Sequence, residues 1–157
     1  LPWAGVERGV LVTRVYCEQR SVHPDGSLNG ALPRTVCKRL LARLESTHGL
    51  HLFGASELEF CLADGEDWSK PAFEGPEIFV TLQASKIATF CFDVEQAMAA
   101  VDIDCLTMNP EYGDGQLEIT FAPKLGVAAA DAACTFRTMV KELAQQRGLI
   151  ATFHAKP

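Results

Sequence analysis

The strongest constraint on this chain is one long apolar stripe near its C-terminal end. Ala129, Ala132, Ala133, Phe136, Met139, Val140, Leu143 and Ala144 recur at helical spacing, with Arg147 in the last turn and Gly148 as the cap. Such a stripe must be covered by something broad and apolar. The segments beside it are extended in pattern: residues 116–121 and 149–154 both read as strands. A helix bounded by strands in this way packs on a sheet.

The remaining pattern fills in an α+β chain. Residues 9–17 are rich in Val and read as a strand, and Pro24-Asp25-Gly26 supplies a turn, which together predict an opening hairpin or ribbon. From Pro33 the period becomes helical, with Val36, Leu40, Leu41 and Leu44 on one side and Gly49 as terminator. Residues 50–62 look extended, and 63–77 form a loop with an exposed Trp68. Residues 78–92 are apolar and β-branched enough for one or two strands, and Asp93 with Gln96 has the form of a capping box for a short helix to about Val101. Strands at 106–108 and 116–121 flank Gly113-Asp114-Gly115, a turn whose glycines tolerate positive φ. The expected architecture is α+β: a curved, mostly antiparallel sheet with flanking helices, those around Leu40 and Val140 packed on one face.

Composition bounds the partners. The 157 residues are 48% hydrophobic without a low-complexity tract, which suits a single domain over 1–157. A formal charge of −6 argues against nucleic acid and anionic membrane, both of which reward clustered Lys and Arg. No apolar run nears the roughly 18 residues of a membrane helix, and Leu1-Pro2-Trp3 does not open a signal peptide, so a cytoplasmic location is expected. Six cysteines without a C-x-x-C pair are expected as reduced, buried thiols, and four histidines without ligand spacing predict no zinc site.

Chemistry is concentrated in four glutamates. Glu57 and Glu59 lie two apart in an extended segment, so both carboxylates project from one face. Glu111 and Glu118 flank the glycine-rich turn, where a hairpin can bring them together. On residue type alone, a solvated acidic face explains Glu57 and Glu59 as well as a site does. If all four meet, repulsion raises their pKa values and a divalent cation is needed to neutralise them. Oxygen-only donors select Mg²⁺ or Mn²⁺, which suit phosphoryl transfer. Phosphate-loop, dinucleotide and nucleophile-elbow fingerprints are absent, and no Ser or Cys has a context for covalent catalysis, so no residue is assigned a catalytic role.

The run Asn109-Pro110-Glu111-Tyr112-Gly113-Asp114-Gly115-Gln116-Leu117-Glu118 resembles the N-P-E-Y-G-P-G-Q-x-E segment of class I glutamine synthetases. Glu57-Leu58-Glu59-Phe60 resembles the family's E-x-E-F, and residues 151–157, A-T-F-H-A-K-P, are similar to its A-T-F-M-x-K-P. The resemblance implies a partial catalytic domain with a two-metal site, Glu59, Glu111 and Glu118 on one Mg²⁺ or Mn²⁺ and Glu57 helping to hold the second. It implies a glutamate-ammonia ligase that uses ATP, glutamate and ammonia, passes through γ-glutamyl phosphate and assembles as a homo-oligomer. The family's β-grasp domain and C-terminal ATP-binding half are not matched, so the chain alone is expected to be inactive and to self-associate through open strand edges. Three positions depart from the motif: Ala55 stands for Gly, Asp114 for Pro, and Leu106 for a Glu beside the nucleotide, with Asp114 expected to add charge beside the ligands. Two alternatives stay open, a non-enzymatic structural relative of the lengsin type and a ligase joining glutamate to another amine.

Overall fold

A computed structural model describes residues 1–3, 15, 21–65, 67–75, 78–79 and 85–155. The expected strand over 9–17 falls outside these residues apart from Val15. In chain order the elements are β1 (Ser21–Val22), β2 (Leu28–Asn29), α1 (Pro33–His48), β3 (Phe53–Gly54), β4 (Glu57–Asp64), α2 (Ala88–Ala99), β5 (Cys105–Pro110), β6 (Gln116–Phe121), β7 (Lys124–Leu125), α3 (Val127–Gln146) and β8 (Leu149–Thr152).

The centre is an antiparallel sheet of four strands in the order β5-β6-β4-β8. Strand alternation divides its residues cleanly. Phe60, Leu62, Leu117, Ile119 and Phe121 are buried, while Glu57, Glu59, Cys61, Gln116, Glu118 and Thr120 fall on the opposite face. Against the apolar side lies α3, whose Phe136, Met139 and Val140 are fully buried, and α2 packs beside it. Phe136 sits at the middle of this core, with ring centroids 6.1 Å from Phe60, 5.0 Å from Phe121 and 6.2 Å from Phe153. The Phe60 and Phe153 pairs are edge-to-face and the Phe121 pair is tilted, and aromatic pairs in such geometries add about 0.5–1.5 kcal/mol each beyond their buried area. Arg137 and Lys141 of α3 lie over the Phe153 ring, which fixes the chain leaving β8. At the other end, Trp3 docks on the same helix: its indole N–H donates to Glu142 at 2.6 Å and its carbonyl accepts from Gln146 at 2.8 Å.

Several expectations hold. The 24–26 turn lies between β1 and β2, which pair as a hairpin, and α3 ends at Arg147 and Gly148, the latter at φ 71°. Helix α1 begins at Pro33, which lacks the amide that the first turn cannot use, and closes on Gly49 at φ 65°.

Other expectations are corrected. Residues 85–92 are not a strand: Ser85 and Lys86 are already helical and α2 follows from Ala88. The buried positions Ile87, Phe90, Val94, Ala97 and Met98 carry a 3–4 period, hidden in the sequence by apolar neighbours such as Phe92 that end up exposed. Asp93 therefore caps nothing. It sits within α2 and accepts from Arg147 Nε at 2.6 Å, joining α2 to the end of α3. Helix α1 does not pack on the sheet either. It buries no residue fully, leaves Leu40 55% exposed, and leans on α3, to which an Arg34–Asp131 ion pair ties it. Strand β4 runs on to Asp64, where a loop was expected, and β8 stops at Thr152. The five described cysteines are free thiols, yet none is fully buried and Cys134 is exposed. No helix among the described residues is long and apolar enough to cross a membrane.

Candidate metal centre

Of the four predicted glutamates, Glu57, Glu59 and Glu118 share the polar sheet face, and Glu111 lies in the turn beside it. Glu59 on β4 is the direct cross-strand partner of Glu118 on β6, and Glu118 is in turn paired with Asn109 on β5. Directly opposed residues hold their Cβ atoms about 4.5–5.5 Å apart, so Glu59, Glu118 and Asn109 form a row across three strands. Glu57, two residues before Glu59, pairs with Thr120 and belongs to the same face. Glu111 follows the last residue of β5, and its amide N–H donates to the Gln116 carbonyl at 2.9 Å, closing the turn between β5 and β6.

Electrostatics record the same convergence. The Glu118 carboxyl is pushed above its ordinary 4.5, first by burial and then by the charges of Glu111, Glu57 and Glu59. All three other glutamates therefore act on one carboxylate. Cys61, next on the same face, is also raised, by burial and then by Glu59.

The tightness of the turn has one requirement. Gly115 lies at φ 66°, and a Cβ there would run into the Leu62 carbonyl. Its backbone is used from both sides: the N–H donates to Phe73 O at 2.9 Å, and the carbonyl accepts from Leu62 N at 2.8 Å. Asp114, expected to add charge beside the glutamates, instead turns to the 71–75 loop, where Oδ1 accepts the Gly75 amide at 2.8 Å.

Gln116 is a member of the cluster that reading single residues missed. Its Nε2 donates to Glu59 Oε2 at 2.6 Å while its Oε1 accepts the Gly113 amide at 2.8 Å, so one side chain orients both the turn and a carboxylate. The available signal was its place two residues before Glu118, on the same strand face. A cleft of about 180 Å³ opens beside these residues, lined by Glu59, Cys61, Gln116, Phe153 and His154.

In donor chemistry, three carboxylate charges acting on a fourth, without a basic neighbour among the causes of the Glu118 shift, suit a hard divalent cation. Among the described residues, however, no three carboxylate, thiol or imidazole groups are drawn into a coordination sphere, and Glu59 is engaged by Gln116 instead. The residues fit the ion in donor type, while their side chains are not gathered around one point.

Residues 30–157 match the family model described as the glutamine synthetase catalytic domain. A gamma-glutamylpolyamine synthetase of Streptomyces coelicolor is 30% identical over 132 residues, 82% of this chain and 28% of that protein. Human lengsin is 32% identical, covering 98% of this chain and 28% of lengsin. A crystal structure described as a novel glutamine synthase homolog superposes with a TM-score of 0.69 at 31% identity, over 83% of this chain and 29% of that one. The chain thus spans less than a third of the length of these relatives. With the family model covering most of its residues and these likenesses running almost from end to end, the chain belongs to the glutamine synthetase family.

Proposed function

We propose that this chain is the metal-binding portion of an ATP-dependent glutamate-ammonia ligase, and that it does not complete the reaction by itself. The observation that carries the reading is the strand register that sets Glu59 directly opposite Glu118, with Glu57 on the same face and Glu111 in the adjoining turn. Carboxylate charges gathered around Glu118 cost stability there, and a bound cation would offset that cost. In this reading Glu59, Glu111 and Glu118 hold one Mg²⁺ or Mn²⁺ and Glu57 helps to hold a second. Such ions would supply charge neutralisation for phosphoryl transfer from ATP to the γ-carboxylate of glutamate, and in this reading ammonia then displaces the phosphate to give glutamine. The chain's own contribution is placement. The β4 and β6 register sets Glu59 opposite Glu118, the five-residue turn delivers Glu111, and Gln116 donates to Glu59 so that this carboxylate keeps one orientation. Nucleotide, glutamate and ammonia contacts, and assembly into a homo-oligomer in the cytoplasm, are assigned to the whole protein.

A second reading is favoured by the Streptomyces relative, whose name specifies a polyamine acceptor. A larger amine would leave the metal-binding face unchanged and alter the acceptor pocket, so comparing rates with ammonia and with a polyamine on the whole protein separates the two. A non-enzymatic role of the lengsin type is separated by the cation. Calorimetric titration of Mn²⁺ into this chain should show saturable binding that a Glu59→Gln, Glu118→Gln double variant loses. Equal behaviour of the two proteins would sink the ligase reading.

A further inference from the structure

Asp114 stands where the motif it resembles has proline, and its side chain reaches 39 residues back along the chain to the Gly75 amide, 2.8 Å away. A backbone bond runs between the same segments, from Gly115 N–H to Phe73 O at 2.9 Å, while Ala72 donates to Leu62 O at 3.0 Å and Pro71 bridges Ala63, tying the loop to β4. The 71–75 loop therefore lies along the turn that joins β5 to β6. Of these contacts, the one at Asp114 is made by a side chain, so it is the one a substitution can remove without altering the backbone.

The turn it holds is the support of two glutamates. Glu111 opens the turn through its bond to Gln116 O, and Gly113 orients the Gln116 amide that holds Glu59. Proline would stiffen such a turn covalently by fixing φ, whereas aspartate leaves φ free and restrains the turn only through its bond to the loop. We propose that Asp114 is a positioning residue of the metal centre, latching the 71–75 loop onto the β5–β6 turn and thereby fixing Glu111 and Gln116. This inference rests on the cation site proposed above.

The test compares Asp114→Ala with Asp114→Asn on the full chain. Both remove the charge, but asparagine keeps an Oδ1 acceptor, so their difference isolates the hydrogen bond from electrostatics. Asp114 is exposed, and an unchanged unfolding transition will show that core packing survives in both. The first readout, amide exchange at Gly75 by NMR, needs no metal: exchange should accelerate in Asp114→Ala and stay slow in Asp114→Asn. The second is Mn²⁺ affinity by calorimetry, expected to fall about tenfold in Asp114→Ala, the low end of what losing an outer-shell partner costs, and to be largely retained in Asp114→Asn. Equal loss in both variants would reduce Asp114 to a surface charge and overturn the proposal, as would Gly75 exchange indifferent to either substitution. A wild-type chain that binds no Mn²⁺ defeats the cation reading and with it the positioning role, while the exchange readout still decides whether the latch itself exists.

Discussion

The two faces of the central sheet are built from the same strands and obey opposite rules. On one side Phe60, Leu62, Leu117, Ile119 and Phe121 are buried against α2 and α3, and every contact there favours folding. On the other, among the side chains interleaved with them in sequence, burial and the charges of Glu111, Glu57 and Glu59 raise the Glu118 carboxyl, and Gln116 donates to Glu59. One face holds the molecule together and the other strains it. Packing is concentrated on one face and charge on the other, and this makes the two faces separable by experiment.

The largest separation should come from Phe136→Ala. This ring is fully buried among Phe60, Phe121 and Phe153, and removing it should destabilise the chain by about 3–5 kcal/mol, read by denaturant unfolding. It touches no carboxylate, so below its new midpoint the variant should still respond to divalent cation. The converse experiment adds Mn²⁺ to the wild-type chain. At a hundredfold excess over its dissociation constant the ion should stabilise the fold by about 2.7 kcal/mol, seen as a rise in Tm, and the Glu59→Gln, Glu118→Gln variant should show no such rise. A variant that gained as much as wild type would mean that the ion binds elsewhere.

The faces also differ in how far they could be read from sequence. The α3 stripe and the strand alternation around Glu57 and Glu118 are local periodicities, so they survive in a linear reading. The α2 stripe does not, because Phe92 and Cys91 fill the gaps in its period and make residues 78–92 look uniformly apolar. The placement of α1 was equally hidden: its apolar side is real, but which element it meets is a tertiary fact, settled here by the Arg34–Asp131 pair with α3. At the site, the family motif named the glutamates. It could not show that Gln116 reaches Glu59, 57 positions away, or that Asp114 turns from the cluster toward Gly75, since both contacts depend on the register of β4 against β6 and on the path of the 71–75 loop.

Gly115 lies where the two faces meet, and Gly115→Ala tests whether they share a support. The new Cβ would collide with the Leu62 carbonyl at a positive φ, a strain of about 1–3 kcal/mol by the usual cost of such backbone conformations. Leu62 belongs to the core and Glu111 to the acidic turn. The variant should therefore lose stability and bind Mn²⁺ more weakly, whereas Phe136→Ala loses stability alone. Loss of stability with unchanged cation affinity would show that the turn does not set the glutamates.

The smallest effect is a matter of pH. Because the Glu118 carboxyl is raised in the folded chain, the folded state binds its proton more tightly than the unfolded state does. The favourable contribution is fully present below the ordinary 4.5, is lost as pH rises through the raised folded value, and leaves the charged carboxylate without that advantage at neutral pH. Its size is small, since the group is partly solvated. Without metal, the wild-type Tm should fall slightly more than that of Glu118→Gln as pH is raised from 4 to 7, a difference read by paired melts in one buffer series. Saturating Mn²⁺ at neutral pH should reverse the ranking, because the charge that costs the empty face its stability is the charge that holds the ion. A glutamine variant that tracks wild type at every pH, with and without the ion, would mean that Glu118 faces solvent and carries no strain.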